Sequence, residues 1–353
     1  MDSNSPQDNK NLDSLGIKAA LTLFSEQIKT TYEQSLTSNI EPLEFDTEGG
    51  YSNVLISGMG GSSNAGKIIQ SLLERDSDKL IFVFNDYGLP AWVNEKTLVV
   101  LNSYSGNTEE TISAYEIAKA KGCKMIGATT GGKVAEMIKS GEIKGAIVTA
   151  NDTNPSGYPK SGLGLSFGVL FGALSKVGLI KATKEELYES LEEVLKIRET
   201  WNVEEIAKWS ADNLPVLFAG RPFLGPLNAA RNACCEIGRV FTQFYDFPEM
   251  NHVLIEALAH PDVAKKNKYI FFESNFDNPR IKIRFEITKK LMEEQGLTHM
   301  TYTLSGSTFL SQCLELAHFG AWLGFHYSMI RGEDPGPEPW IIKLKQSLSQ
   351  PTH

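Results

Sequence analysis

VVLNSYSGNTEETISAY, residues 99–115, is the stretch on which the fold turns. An apolar run stops at a cluster of hydroxyls, Ser103, Ser105 and Thr108, set around Gly106 and Asn107, and helix-forming residues resume at once. Such a run reads as a strand buried on both faces, and strands of that kind belong to parallel sheets covered by helices. A helix cap needs one polar side chain, and here four lie within six positions. The cluster suits a phosphate monoester held at the start of the next helix, where free N–H groups and the positive dipole end meet. The capping alternative stays open, with Asn107 or Thr108 as the cap and Glu110 or Thr111 reaching back.

The same alternation extends outward in both directions. NVLISGMGG (53–61) reads as a strand ending in glycines, SNAGKIIQSLLERD (63–76) as its helix, and LIFVFND (80–86) as a second strand. After TLVVLNSYSG (97–106) come the helix TEETISAYEIAKAKG (108–122), the strand KMIGATT (124–130), a short helix near 133–141 and the strand GAIVTAN (145–151). Strands and helices in strict alternation predict a parallel-sheet α/β/α sandwich. Apolar residues at helical spacing over 14–36 predict one or two helices ahead of it. Residues 213–241 repeat the strand–glycine–helix shape of 51–74, with Gly220 in the place of Gly58. Residues 268–296 parallel 97–122, each ending in a glycine stop, Gly296 and Gly122. This degenerate repeat predicts two related α/β domains joined by the polar segment 151–164 and helices over 165–199. The boundaries read as a helical lead at 1–45, a first domain at 46–182 and a second at 198–353, closed by a C-terminal helix.

Composition narrows the function. A chain of 353 residues has room for two domains, and a formal charge of −9 argues against a nucleic-acid partner. No apolar run is long enough to span a bilayer, and the polar start MDSNSPQDNKNLDSLG reads as a short disordered lead rather than a signal peptide. The cysteines, Cys123, Cys234, Cys235 and Cys313, lack metal-site spacing and fit a reducing cytoplasm.

GMGGS (58–62) lets a backbone approach a ligand closely, although it also fits a plain tight turn. It has neither the lysine of a P-loop nor the dinucleotide spacing. SYSGNTEET (103–111) preceded by GMGGSS (58–63) resembles the sugar isomerase (SIS) domain, a flavodoxin-like phosphosugar-binding sandwich. Two tandem copies, with NPSGYPKSGLG (154–164) between them and RGEDPGPEPWIIKLK (331–345) at the end, are similar to the bifunctional phosphoglucose/phosphomannose isomerases.

The resemblance implies an aldose–ketose isomerase that interconverts glucose 6-phosphate with fructose 6-phosphate through an enediolate, mannose 6-phosphate being left open as a second substrate. Gly60, Gly61, Ser62, Ser103, Ser105 and Thr108 would hold the phosphate. Glu236, in CCEIGRVF, would be the base, and His252, in FPEMNH, would open the sugar ring from the partner subunit of a homodimer. Lys160 would steady the enediolate, and Lys345, with Lys343 as its competitor, would reach the substrate from the tail. No metal or organic cofactor is implied, because a proton moves and no electrons leave the substrate. The sequence departs from the family at several points. Cys235, Ile237 and Arg239 flank Glu236 in place of asparagines and a lysine, Lys160 replaces an arginine, and Gly336 stands near a usual threonine. Val253 follows His252 where asparagine is usual. An amino-sugar phosphate enzyme and a catalytically inactive sugar-phosphate binder therefore stay open as alternatives.

From residues alone, the apolar neighbours of Glu236 would raise its pKa toward a value useful to a base. An exposed helix glutamate paired with Arg231 or Arg239 is the plainer reading of the same pattern.

Overall fold

The computed structural model describes residues 12–45, 50–149 and 152–348. The reading of residues 1–11 lies outside these. Two helices, α1 (Ile17–Thr22) and α2 (Phe24–Leu36), lead into β1 (Asn53–Ser57), α3 (Gly60–Asp76), β2 (Leu80–Phe84), β3 (Thr97–Ser103), α4 (Glu109–Ala120), β4 (Lys124–Thr129), α5 (Gly132–Lys139) and β5 (Lys144–Ile147). The five strands pair parallel in the order β2-β1-β3-β4-β5. β3 is buried along its whole length, as its unbroken apolar run requires. In this order the connections leave β1 and β3 toward opposite edges, so a crevice opens beyond their carboxyl ends. The turns at Gly58–Ser62 and Ser103–Thr108 both lie at that crevice.

A short 3₁₀ turn at Pro159–Ser161 starts the connection, followed by α6 (Leu163–Lys176), α7 (Lys184–Arg198) and α8 (Val203–Ser210). Gly164, Gly168 and Gly172 recur every fourth residue on α6, and a Cβ at each would overlap α2. That stripe lets the two helices lie backbone to backbone. The second sheet comprises β6 (Leu214–Gly220), α9 (Leu224–Glu236), β7 (Gln243–Phe247), the one-turn helices α10 (Met250–Val253), α11 (Ile255–Leu258) and α12 (Pro261–Ala264), then β8 (Asn267–Glu273), α13 (Pro279–Glu294) and β9 (His299–Thr303). Its parallel order, β7-β6-β8-β9, repeats the first four strands of the other sheet. The chain ends in α14 (Phe309–Arg331) and α15 (Pro339–Leu348).

The internal repeat is therefore a repeat of topology. Gly122 and Gly296 stop equivalent helices with φ of +70° and +67°. One core runs between the sheets, drawing apolar side chains from α2, α3, α6, α9 and α14. The sequence reading passes over β7, β9 and α14. β7 and β9 are five residues each and only part-buried. α14 is buried on nearly every side, so it carries no amphipathic stripe to announce it. Among the described residues no helix is long and apolar enough to cross a membrane.

Candidate active site

The two glycine-containing turns interlock at the crevice. Tyr104 N–H donates to Ser62 Oγ (3.1 Å), and the Asn102 amide donates to Ser62 O (2.9 Å). Gly106, at φ +68°, is pressed against the Gly131 carbonyl, where a Cβ would overlap it. Ser103 Oγ and Thr108 Oγ1 share a hydrogen bond of 2.8 Å, and Ser103 Oγ also accepts from Gly106 N–H (3.0 Å). Thr108 holds the N-cap position of α4, yet its side chain makes no capping bond. Asn107 instead accepts from Lys133 N–H on α5 (3.0 Å). The hydroxyls are thus not consumed in capping α4. The start of α3 likewise has no side-chain cap. Two bare helix N-termini and Ser62, Ser103, Ser105 and Thr108 converge on one rim, a setting that favours a dianion.

Across the crevice, α3 packs antiparallel on α9. Asn232 donates to Asn64 (2.6 Å), and Lys67 donates to Asn228 (3.2 Å). This pairing sets Glu236, the last residue of α9, beside the first turn of α3. One cavity is bordered by Gly61, Asn64, Lys160, Ser161, Glu236 and His318. Glu236 is only partly open to solvent, so the plainer reading of an exposed surface glutamate does not hold. Burial raises its pKa, the Glu338 charge adds to the rise, and Lys160 and Arg231 oppose it.

The Lys160 side chain is 1% exposed. Its ammonium donates to Gly336 O (2.7 Å) and pairs with Glu338 (3.3 Å). Burial lowers its pKa, while the Glu338 carboxylate pulls it back up. Arg239 does not face the cavity as a free cation. It adopts φ +53°, rare for a residue with a side chain, and its guanidinium grips the carbonyls of Asp334 (3.0 Å) and Pro337. That grip fixes the segment carrying Gly336 and Glu338 against Lys160.

Gly61, Lys160 and Glu236 are therefore brought together, with Gly60, Ser62 and the 103–108 turn along the same edge. His252 and Lys345 are not part of this cavity within one chain. His252 is exposed on α10, and Lys345 is exposed on α15, which buries no residue. Lys343 lies over the Trp340 ring. Two residues of the cavity region escape sequence reasoning. Glu338 follows Lys160 by more than 170 positions, and only the fold joins them. His318 looks like one more position in the apolar run of α14.

Residues 201–348 match the family described as the bacterial phospho-glucose isomerase C-terminal SIS domain, and residues 51–137 match the SIS domain. The chain is 32% identical over 344 residues to the bifunctional phosphoglucose/phosphomannose isomerase of Caldicellulosiruptor bescii, covering 92% of this chain and 96% of that one. It is 29% identical over 330 residues to the protein of the same name from Thermoplasma volcanium, covering 92% and 99%. Among solved structures, glucosamine-6-phosphate deaminase from Thermotoga maritima superposes with a TM-score of 0.62 over 91% of this chain and 98% of its own. At 18% identity that likeness concerns the fold alone.

Proposed function

Because the chain belongs to the bifunctional phosphoglucose/phosphomannose isomerase family, we propose that it interconverts glucose 6-phosphate and mannose 6-phosphate with fructose 6-phosphate. The observation that carries this reading is that Gly61, Lys160 and Glu236 are brought together beside the hydroxyl-rich turn. The phosphate sits on the N–H groups of Gly60 and Gly61 and on Ser62, Ser103, Ser105 and Thr108. Ser62 and Ser103 are oriented for this by the backbone N–H groups of Tyr104 and Gly106. The sugar then extends toward Glu236.

Glu236 takes the proton from C2 of the open-chain aldose, the electrons pass into an enediolate, the O2 hydroxyl proton passes to O1, and the same carboxyl returns the carbon-bound proton to C1. No electrons leave the sugar. Raised above the ordinary carboxylate range, Glu236 is a stronger base than an exposed glutamate, at the expense of its ionised fraction in acid. The Lys160 ammonium supplies positive charge beside the developing oxyanion. His252 opens the ring from the partner subunit of a homodimer, and Lys345 reaches in from α15. The exposure of His252, of Val253 next to it and of the apolar side of α15 supports a partner that covers them. We place the enzyme in the cytoplasm, where its sugar-phosphate substrates lie.

The deciding experiment is a coupled assay with each aldose phosphate on the wild type and Glu236→Gln. The variant is expected to lose about 10²–10⁴-fold in kcat while still binding substrate. A wild type that binds both sugars and turns over neither would sink the isomerase reading.

A further inference from the structure

His318, on α14, is fully buried. Its ring stacks on Phe24 with centroids 4.4 Å apart and meets the edge of Trp201 at 5.3 Å. Trp322, one turn on, donates its indole N–H to His318 Nε2 (3.2 Å). An indole nitrogen can only donate, so Nε2 is the acceptor and the neutral ring carries its proton on Nδ1. Burial, with the Arg198 charge adding to it, holds the ring neutral by pushing its pKa well below 6.5. Nδ1 has no acceptor among the described residues. A buried N–H left in that state is destabilising.

The same ring borders the cavity under Glu236, whose volume is about 20 Å³. That is far too small for a hexose phosphate and is the size that holds one water, provided the walls offer at least two polar partners. His318, Glu236, Asn64 and Lys160 all border it.

We propose that this cavity is a built one-water site, in which His318 Nδ1–H donates to the water and the water donates to the Glu236 carboxylate. His318 is then a positioning residue for the base, a role that rests on the isomerase reading; the water site itself does not. Glu236 is faced by Lys160 from the 3₁₀ turn, by Glu338 from the segment before α15 and by Arg231 from its own helix. Arg239 acts on Lys160, and Arg198 acts on His318. Against this background the water's hydrogen bond favours the ionised carboxylate and offsets part of the burial.

Long-range ¹⁵N–¹H correlation spectra of the full chain, with His318→Phe for assignment, test the donor directly. The expected signal is an Nδ1–H tautomer that does not titrate between about pH 5 and 9. An Nε2–H tautomer, or a titrating ring, overturns the proposal without any variant having to fold. Carboxyl ¹³C titration, assigned with Glu236→Gln, tests the acceptor. In His318→Phe the Glu236 pKa is expected to rise by about 0.5–1 unit, and in His318→Gln, which keeps an N–H, by less. An unchanged Glu236 titration in folded His318→Phe overturns the proposal. Neither readout needs turnover, so an inactive wild type would sink the isomerase reading and leave these answers standing.

Discussion

At the scale of single residues, the arrangement hangs on three charges in a row, Glu236, Lys160 and Glu338. Glu338 raises the pKa of Glu236 and supports the charge of Lys160. Glu338→Gln is therefore expected to lower both pKa values. Because the proposed base would work ionised, the acid limb of kcat/KM should move down in pH by up to about one unit, and a pH–rate profile checks the sign. In the wild type that limb should lie above the ordinary carboxylate range, since activity appears only as the raised Glu236 pKa is passed. Glu236 was picked out by the family resemblance, its apolar helix neighbours alone leaving an exposed surface glutamate as the plainer reading. Its partner Glu338 was not, because a lone acid in a proline-rich tail carries no local signal. The family's arginine is replaced by Lys160, and what Lys160 touches is likewise a product of the fold: a backbone carbonyl and a carboxylate from the far end of the chain.

At the scale of elements, the instructive comparison is between the loop after β3 and its counterpart after β8. The first presents Ser103, Ser105 and Thr108. The second keeps Ser274 in the place of Ser103 but presents Asp277, whose Oδ2 accepts from Ser274 N–H (2.9 Å) while Oδ1 is buried against Gly220 with no partner among the described residues. Asp277 stands where the first loop has Gly106, and a carboxylate there would repel a phosphate, so each chain should bind one equivalent, as isothermal titration with inorganic phosphate can count. Burial raises Asp277 to about 6 from 3.8. The unfolded state then releases its proton first as pH rises, so stability contributed here is full below about pH 4 and is lost by about pH 6, a change of roughly 3 kcal/mol. Asp277→Asn should lack that slope in denaturant titrations run at pH 4 and 7. In the first loop, Gly106→Ala places a Cβ into the Gly131 carbonyl at positive φ and should cost more than about 1 kcal/mol in stability along with phosphate affinity. The strands and helices flanking both loops could be read from apolar runs and glycine stops. The loops' opposite chemistry could be read too, once aligned, but the burial that makes Asp277 costly could not.

At the scale of the whole molecule, the α/β repeat announced itself, whereas the packing between the halves did not. The α6 stripe of Gly164, Gly168 and Gly172 seats α2, and Gly320 and Gly324 of α14 press on α9 in the same manner. Such contacts depend on which helices meet, and that is a property of three dimensions. Gly168→Leu should therefore destabilise the chain by several kcal/mol, read as a lowered Tm. The proposed sharing of a site between subunits has its own test. Mixing inactive Glu236→Gln and His252→Ala proteins and letting them exchange subunits should restore roughly a quarter of wild-type activity, since half the dimers then carry one intact site. No recovery after verified exchange would place His252 outside the partner's site. The anchoring of Lys160 by Gly336 and Glu338 also bears on how the chain is made. On the ribosome, the sheet built from residues 53–147 and the turn carrying Lys160 emerge long before residue 338. Until that carboxylate and the Gly336 carbonyl arrive, the ammonium lacks both of its direct partners, so this corner stays wet and open during synthesis. The segment that dries the site is thus translated well after the sheet it closes on.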